Sequence, residues 1–587
     1  MIRRIAGNRA VQVLVVVVVL VAAAIAWLAH SALQVKSDLE SVRADASRAR
    51  SLMLGGDKDG ASAAAEAAAE SARAASDRAH GVLWSTVAAI PWLGTPLKAV
   101  QQMSDAVEDL ASDVLIPAAD LAHVLDPDAL RTGNTVNLRL LREAQPELAE
   151  VAARSVEVAD DVAAIDPGRL GVVADARTRL AEQVDAAEAT LVATDIAAQL
   201  LPPMLGSTGP RNYFMAFQTP SEARGTGGLV GGFGLLNATG GRVSVPELGA
   251  NSEFRDPRTP QVDLGPEYDA IYSYYHPYTD FRNGNLSAHF PDAAQIWIAN
   301  WKAQTGQRLD GAIAVDPIAL SYVLEVVGPV TSANGEKITA DNVVPITLSS
   351  AYKRFADDNR ARKQYLQDIS QAVVKKLVNS GANTRDLLEA LGRGVHERRI
   401  MVYSTHAEEQ EILETTNLGH QISDTDSPYL QVAIGNASGT KLDYHLRREI
   451  SYTSGDCSGD TRESVITVRL TNTLEQTDLT DYEAGGLGTE LDVKKGTNLA
   501  NVEFLTTKGA VLKEMTLGDG GAFYVEQTLH GRPYYSTRVG IAPGETATIT
   551  LKIDEPTSAK GEAEVPVQPL VDDPTVTVDV PACGPKE

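Results

Sequence analysis

Cysteine is almost missing from this chain: its 587 residues include two, Cys457 and Cys583, both in the C-terminal part. No histidines cluster beside them, which excludes a zinc site built on those thiols, because such a site takes four closely placed ligands. Two readings of the pair stand: a disulfide closing the last domain, as an exported chain permits, or two unpaired buried thiols. Neither implies catalysis. A basic excess is lacking too. Lys and Arg total 52 against 77 Asp and Glu, a net charge of −25, which excludes a nucleic-acid partner, since neutralising phosphates takes a basic face. Aromatic residues and glycines are few from about residue 34 to 200, a composition that points to helix. After residue 29 no apolar run is long enough to cross a bilayer.

What is present begins with VQVLVVVVVLVAAAIAWLA at residues 11–29, apolar except for Gln12. At about 1.5 Å per residue this run covers a ~30 Å hydrocarbon core. Arg3, Arg4 and Arg9 precede it without an acidic residue, and Lys36, Asp38 and Glu40 follow. The positive-inside bias then predicts a cytoplasmic tail (1–10), a single membrane span (11–29) and an extracytoplasmic bulk at the cell membrane. A cleavable signal peptide is the alternative, with small residues at Ala29-His30-Ser31, but the apolar run is long for one.

Length predicts two or three domains. Residues 34–204, rich in Ala, Asp, Glu, Arg and Leu, read as an extracytoplasmic helical stalk or bundle, with helices over segments such as 38–53, 61–87 and 141–200 and with Pro146 and Pro167 at breaks or first turns. The turn at 90–96 carries Trp92 and Leu93, apolar enough to pack on a helix or meet the bilayer surface. Residues 205–425 alternate strands with helices and predict an α/β domain. There 309–316 reads as a strand ending before Pro317, 318–327 as a helix, 347–379 as a long helix or helix pair, and 383–392 as a helix capped by an asparagine. Residues 428–587 carry alternating runs at 463–470, 499–505, 534–541 and 546–553 between turn residues, which predict a β-sandwich.

Candidate chemistry gathers in two places. Arg211 to Arg242 passes from an apolar strand, Asn212 to Phe217, through Gln-Thr-Pro-Ser-Glu-Ala-Arg into a glycine-dense loop where Gly227-Gly228 and Gly231-Gly232 permit backbone conformations that other residues resist. Gln218, Glu222 and Arg224 could face a ligand there. The competing reading is a plain hairpin with Glu222 and Arg224 as a surface ion pair. In the second place, Tyr352 to Gln364, Arg360, Lys363 and Gln364 fall on one helix face at i, i+3 and i+4. With Arg362 nearby, such a basic face suits phosphate or pyrophosphate, whose oxygens guanidinium binds bidentately. A solvated face laced with surface ion pairs is the alternative. Tyr272, Tyr274, Tyr275, His276 and Tyr278 form a group that stacks on sugars or belongs to a half-buried strand. Asp316, ahead of Pro317, reads as a helix cap, and His396 beside Glu397, Arg398 and Arg399 as a surface pair.

Residues 211–242, Asn283 to Pro291, and Leu309-Asp310-Gly311 through Gly328-Pro329-Val330 together resemble the bacterial family called domain of unknown function 4012, over about residues 80–400. A more distant resemblance is to the LytR-CpsA-Psr proteins, membrane-anchored extracytoplasmic α/β enzymes that transfer a glycan from a polyprenyl-pyrophosphate carrier to the cell wall. Gln218, Glu222 and Arg224 occupy the first loop of that pattern, Gly328-Pro329-Val330 stands near its Gly-Gly-Val, and Asp357-x-x-Arg360-x-x-Lys363-Gln364 looks like its helix motif Asp-x-x-Arg-x-x-Arg-Gln. Lys363 replaces an arginine and the first loop lacks the usual Asp. Arg255-Asp256-Pro257 and Asp280-Phe281-Arg282 are the nearest substitutes for a Pro-Arg-Asp strand end.

The resemblance implies a LytR-CpsA-Psr-like α/β domain, a mixed sheet with flanking helices. It implies Glu222, Arg224 and Asp357 as catalytic residues, with Arg282, Arg360, Arg362, Lys363 and Gln364 holding the polyprenyl pyrophosphate. Glu222 or Asp357 would hold Mg²⁺ or accept the proton, and an apolar tunnel would take the lipid tail. The expected function is transfer of a polyprenyl-phosphate-linked glycan to an envelope acceptor. The alternative is a non-catalytic scaffold that binds lipid-linked precursors or wall glycopolymers. The partners on both readings are the membrane, the polyprenyl-linked glycan or cell-wall polymer, and other envelope proteins.

Overall fold

Small residues set the helix spacing in the first part of the computed structural model, which describes residues 2–90, 94–126, 129–457, 459–475, 478–485 and 493–583, with side chains from residue 27 onward except at Ala29, His123, Leu125 and Asn379. Two compact units form, 1–208 and 209–587. In the first, helix Lys58–Ala79 buries Ala61, Ala65, Ala68, Ala72 and Ala75 along one face. That stripe lets helix Ile2–Met53 lie close, with Val42, Ala49 and Met53 buried against it. Helices Leu138–Ala163 and Gly171–Met204 complete the bundle, and a short hairpin, β1 (Arg131–Thr132) and β2 (Thr135–Val136), precedes them. Pro167 falls in the turn between the two long helices, whereas Pro146 sits inside the first of them. Burial of Leu141, Ala144, Leu148 and Val151 on both sides of Pro146 holds that helix across the missing hydrogen bond. The apolar run 11–29 belongs to the first helix, but its side chains through residue 26 lie outside the described ones, as do Trp92 and Leu93. Among the described residues no helix is long and apolar enough to cross a membrane.

In the second unit β3 (Arg211–Arg224), β4 (Gly227–Thr239) and β5 (Arg242–Ala250) make an antiparallel meander. β6 (Gly311–Val315) joins β3 in parallel. After the small hairpin β7–β8 (Val330–Thr331, Lys337–Ile338), β9 (Ile400–Ser404) pairs antiparallel with β6, giving the order β5-β4-β3-β6-β9 in a mixed sheet. Alternation along β3 sends Phe214 and Ala216 into an aromatic core with Phe233, Phe254, Phe281, Trp297 and Trp301, beneath helix Phe290–Thr305. On that side Phe254 and Phe281 stack with ring centres 4.2 Å apart. Helices Pro317–Val327 and Asn359–Asn379 share a second core through Val323, Leu324, Ile369 and Val373. Gln367 Nε2, donating to Leu248 O at 2.6 Å, ties the latter helix to β5.

One local expectation changes and a second is decided between its alternatives. The glycine-dense segment is strand β4 rather than a loop, and its glycines serve close approach. A Cβ on Gly228 would stand 2.3 Å from the carbonyl carbon of Thr219, and in the turn just before the strand one on Gly225 would stand 2.1 Å from Leu286 O. Of the two readings of 347–379, the helix pair holds: the chain breaks at 355–358, where the Asp358 carboxylate accepts from Ala361 N at 2.9 Å and starts a new helix. Asp316 and Asn383 cap as expected, accepting from Ala319 N at 2.8 Å and Asp386 N at 3.1 Å.

The C-terminal strands are β10 (Leu430–Asn436), β11 (Leu446–Ser454), β12 (Thr461–Asn472), β13 (Asn498–Thr506), β14 (Val511–Leu517), β15 (Gly520–Gly521), β16 (Val525–Leu529), β17 (Arg532–Ile541), β18 (Thr546–Pro556) and β19 (Thr575–Asp579). They form two sheets, β10-β13-β17-β16 and β15-β14-β18-β12-β11-β19, antiparallel except that β19 lies parallel to β11. Val432, Val502 and Phe504 of the first sheet and Ile450, Ile466 and Leu551 of the second share one core. Cys457 and Cys583 are joined in a disulfide that ties the segment after β19 to the turn before β12. The bond spans 126 residues, for which loop entropy gives about 5 kcal/mol of stabilisation. Replacing both cysteines by serine should therefore lower the Tm of the C-terminal sheets to the value that the unmodified protein shows in reductant. Indistinguishable melting with and without reductant would contradict that role.

Candidate functional site

Two register shifts in the β3–β4 pairing, at Phe217/Gln218 and at Thr219/Ala223, let the tip of β3 bury Gln218, Ser221, Glu222 and Arg224. Gln218 Oε1 accepts from Thr226 Oγ1 at 2.9 Å and from Gly228 N at 3.1 Å. Asn285 Nδ2 bridges the same hairpin, reaching Thr226 Oγ1 and Gly228 O, each at 2.9 Å. Both amides thus brace the tip, and Gln218 also lines the cleft described below.

Glu222 and Arg224 form an ion pair, with Arg224 Nη2 3.0 Å from Glu222 Oε1, but it is buried, not the surface pair that the sequence admits. The other oxygen, Oε2, pairs with the buried Lys441. Burial opposes ionisation of Glu222, yet the Lys441 and Arg224 charges outweigh it and hold the carboxyl below its usual range. Tyr352 and Tyr482 stack face to face, ring centres 5.7 Å apart, and the buried Arg362 guanidinium lies 3.7 Å over the Tyr482 ring. Arg362 Nη2 donates to Asn359 Oδ1 at 2.6 Å, while its Nη1 is buried with no protein partner.

Arg282 is held by Asp280 through bonds of 2.9 and 2.7 Å, and its carbonyl accepts from Arg224 Nε at 3.2 Å. Lys363 is half-buried. Its burial, with the Arg362 and Arg282 charges beside it, pushes its ammonium below the usual lysine range. Glu222, Arg224, Arg282, Arg362 and Lys363 therefore converge in one electrostatically coupled group. Asp357, Arg360 and Gln364 stand exposed outside it, Gln364 bonding Asp368 at 2.9 Å. Lys441, Tyr482 and Asp443, whose Oδ2 accepts from Ala223 N at 2.8 Å, complete the group from the C-terminal part. No local pattern in the sequence marks them. Arg399, read as a surface residue, is buried and bonds Asp316 at 2.8 Å.

Beside this group a narrow cleft of about 80 Å³, open at its mouth, runs between β3–β5 and helix Asn359–Asn379. Phe217, Leu248, Leu320, Leu366 and Ile369 supply apolar walls, the bare backbone of Gly231, Gly232 and Gly249 leaves the space open, and Lys363 is the cation that lines it.

Among the described residues, His289, Asp292 and His530 are the one trio whose ligand atoms lie close enough to share a metal ion, within 4.8 Å. His530 Nε2 lies 3.2 Å from Asp292 Oδ2, which also accepts from Ser287 Oγ at 2.7 Å. His289 Nδ1 accepts the Ile422 N–H at 3.0 Å, and burial pushes this ring's pKa down to about 4. The neutral ring then carries its proton on Nε2 and offers a cation no lone pair, so the trio fits a metal poorly. Glu222, with both oxygens engaged, fits Mg²⁺ no better.

The span from the chain before β3 to Tyr352 matches the family model described as protein of unknown function (DUF4012). Residues 208–352 are a DUF4012 domain. The match is narrower than the span of about 80–400 over which the resemblance is expected. No curated protein matches the chain. The DUF4012 domain contains Glu222, Arg224 and Arg282, but helix Asn359–Asn379 and Lys441 lie beyond it, so the basic group is completed by residues outside the family match.

Removing one partner of a buried pair strands the other charge. Glu222→Ala should destabilise the second unit by roughly 3–5 kcal/mol in chemical denaturation. Because the folded carboxyl titrates below its ordinary range, its contribution is complete above the unfolded glutamate pKa and is lost as pH falls through the folded value. The gap in Tm between the native protein and Glu222→Gln should accordingly narrow on acidification. A pH-independent gap would remove the ion pair from the account.

Proposed function

We propose that this protein binds a polyprenyl-phosphate-linked glycan at the cell envelope without turning it over. The carrying observation is the apolar cleft lined by Lys363, next to Arg224, Arg282 and Arg362. An isoprenoid tail takes a narrow apolar channel and its phosphate takes cations at one end of that channel; both lie together here. A phosphate beside Lys363 would relieve the crowding of positive charge that now disfavours its ammonium. The neighbouring carboxylates support binding over transfer. Glu222 is engaged by two cations, Asp316, the carboxylate that lines the cleft, by Arg399 and the Ala319 N–H, and Asp357 stands apart, so none is placed to hold Mg²⁺ or to take a proton from an attacking hydroxyl.

The single membrane span at 11–29, the helical stalk, the LytR-CpsA-Psr-like character of the α/β part and the sandwich reading of the two C-terminal sheets belong to this same proposal. Transfer of the glycan to an envelope acceptor is the second reading. It is favoured by the convergence of Arg224, Arg282, Arg362 and Lys363, which would neutralise charge building on the phosphoryl oxygens.

Native mass spectrometry of the full chain in detergent with added polyprenyl phosphate tests the binding reading. One lipid should bind, with affinity reduced about tenfold in Lys363→Ala, as expected for losing a charge-assisted hydrogen bond. Leu366→Trp, which fills the cleft, should abolish binding. Undiminished binding by Leu366→Trp would remove the lipid from the cleft, and a Mg²⁺-dependent phosphodiester product with a polyprenyl-pyrophosphate glycan and an acceptor would establish transfer instead.

A further inference from the structure

A second cavity, about 230 Å³, opens between the segment 272–286 and the sheet β10-β13-β17. Its walls differ from those of the cleft. Tyr275 presents a half-buried ring, Asn283, Asn436 and Asn501 present amides, and Arg538 and Glu503 present a guanidinium and a carboxyl. Leu286 is its largest aliphatic side chain. Several of these groups are already fixed: Asn283 Nδ2 donates to Tyr275 O at 2.8 Å, and Arg538 Nε donates to Asn501 Oδ1 at 2.9 Å. Tyr272 Oη donates to Glu503 Oε2 at 2.9 Å, and burial raises the Glu503 carboxyl to about 7, so it stays largely protonated in mildly acidic water.

Planar amides, a guanidinium and a carboxyl each pair with two adjacent hydroxyls, and an aromatic ring takes the apolar face of a pyranose. That combination suits a ligand dense in hydroxyls and carrying no charge. A phosphate is disfavoured, because the lining cations are already engaged: Arg224 by Glu222, and Arg538 by Asn501 and the Tyr275 hydroxyl. An apolar peptide side chain would leave the amides, the guanidinium and the carboxyl that line the cavity without partners. Arg224 connects this cavity to the cleft, since its Nε bonds the carbonyl of Arg282, whose charge acts on Lys363.

We propose that this cavity is a binding site for a neutral saccharide, holding the sugar that follows the phosphate of the lipid-linked glycan. The origin of the sugar rests on the lipid-phosphate reading above; the cavity's preference for a neutral saccharide does not. Lipid-free disaccharides separate the two. Cellobiose, β-1,4-galactobiose and chitobiose are titrated against the full chain in detergent by saturation-transfer NMR and calorimetry.

At least one disaccharide should bind with millimolar or tighter affinity. Tyr275→Ala and Asn501→Ala should each weaken it at least fivefold, while Tyr275→Phe, which keeps the ring, retains most of it. Leu366→Trp should leave it unchanged. Sugar binding with this variant pattern, but without polyprenyl phosphate binding, would keep the cavity and sink the cleft. Lipid binding with no response to any of the three disaccharides would overturn the saccharide site. So would sugar binding that ignores Tyr275→Ala and Asn501→Ala in variants whose Tm matches the native protein.

Discussion

The buried carboxylate of Glu222, held between Arg224 and Lys441, is the constraint on which the second unit turns. A lone charge in that position would carry a desolvation penalty of several kcal/mol, so the two cations have to arrive with it. One comes from the same strand and the other from the segment between β10 and β11, and the requirement therefore fixes how the α/β sheet meets the C-terminal sheets. Asp443 takes the Ala223 N–H and Gln568 Nε2 donates to Arg224 O at 2.7 Å, so the backbone of the same tip is gripped from both flanks. A single strand then serves three regions: Phe214 lies in the aromatic core, Phe217 on the cleft wall and Arg224 at the saccharide cavity.

Sequence periodicity located the elements whose signal is local. β6 with its Asp316-Pro317 helix start, the Asn383 cap and the runs at β12, β13, β17 and β18 lie where alternation and capping residues place them. The glycine-dense stretch misled because glycine has two uses. Here Gly228 admits the backbone of Thr219 at a distance no Cβ tolerates, inside a strand pair rather than a loop. The basic run after Tyr352 divided for a reason equally local, the Asp358 cap, which turns Arg362 inward and leaves Arg360 in solvent.

The partners that define the site were illegible for another reason. Lys441 lies 219 residues from Glu222, and nothing in either segment announces the other. Spacing in a sequence records neighbours on a helix or strand; it carries no record of which charges a fold will bury together. The residue types that a resemblance assigns to catalysis can then serve as internal struts. Arg362, lying over Tyr482, and Glu222, shared by two cations, are engaged within the protein before any ligand arrives. Lys363, half-buried on the wall of the cleft, is the member of the group whose chemistry remains open to a guest.

The grip of Gln568 on Arg224 joins residues 344 apart in the chain. Contacts of that separation form slowly, because a long loop must close before any of them is rewarded. The tip of β3 is synthesised 344 residues before its last partner. During that interval its charged groups stand without Lys441, Asp443 and Gln568, the kind of surface that attracts wrong pairings. The two-sided clasp that gives the finished molecule its rigidity thus makes its assembly a race between the arrival of the last strands and the misuse of the first.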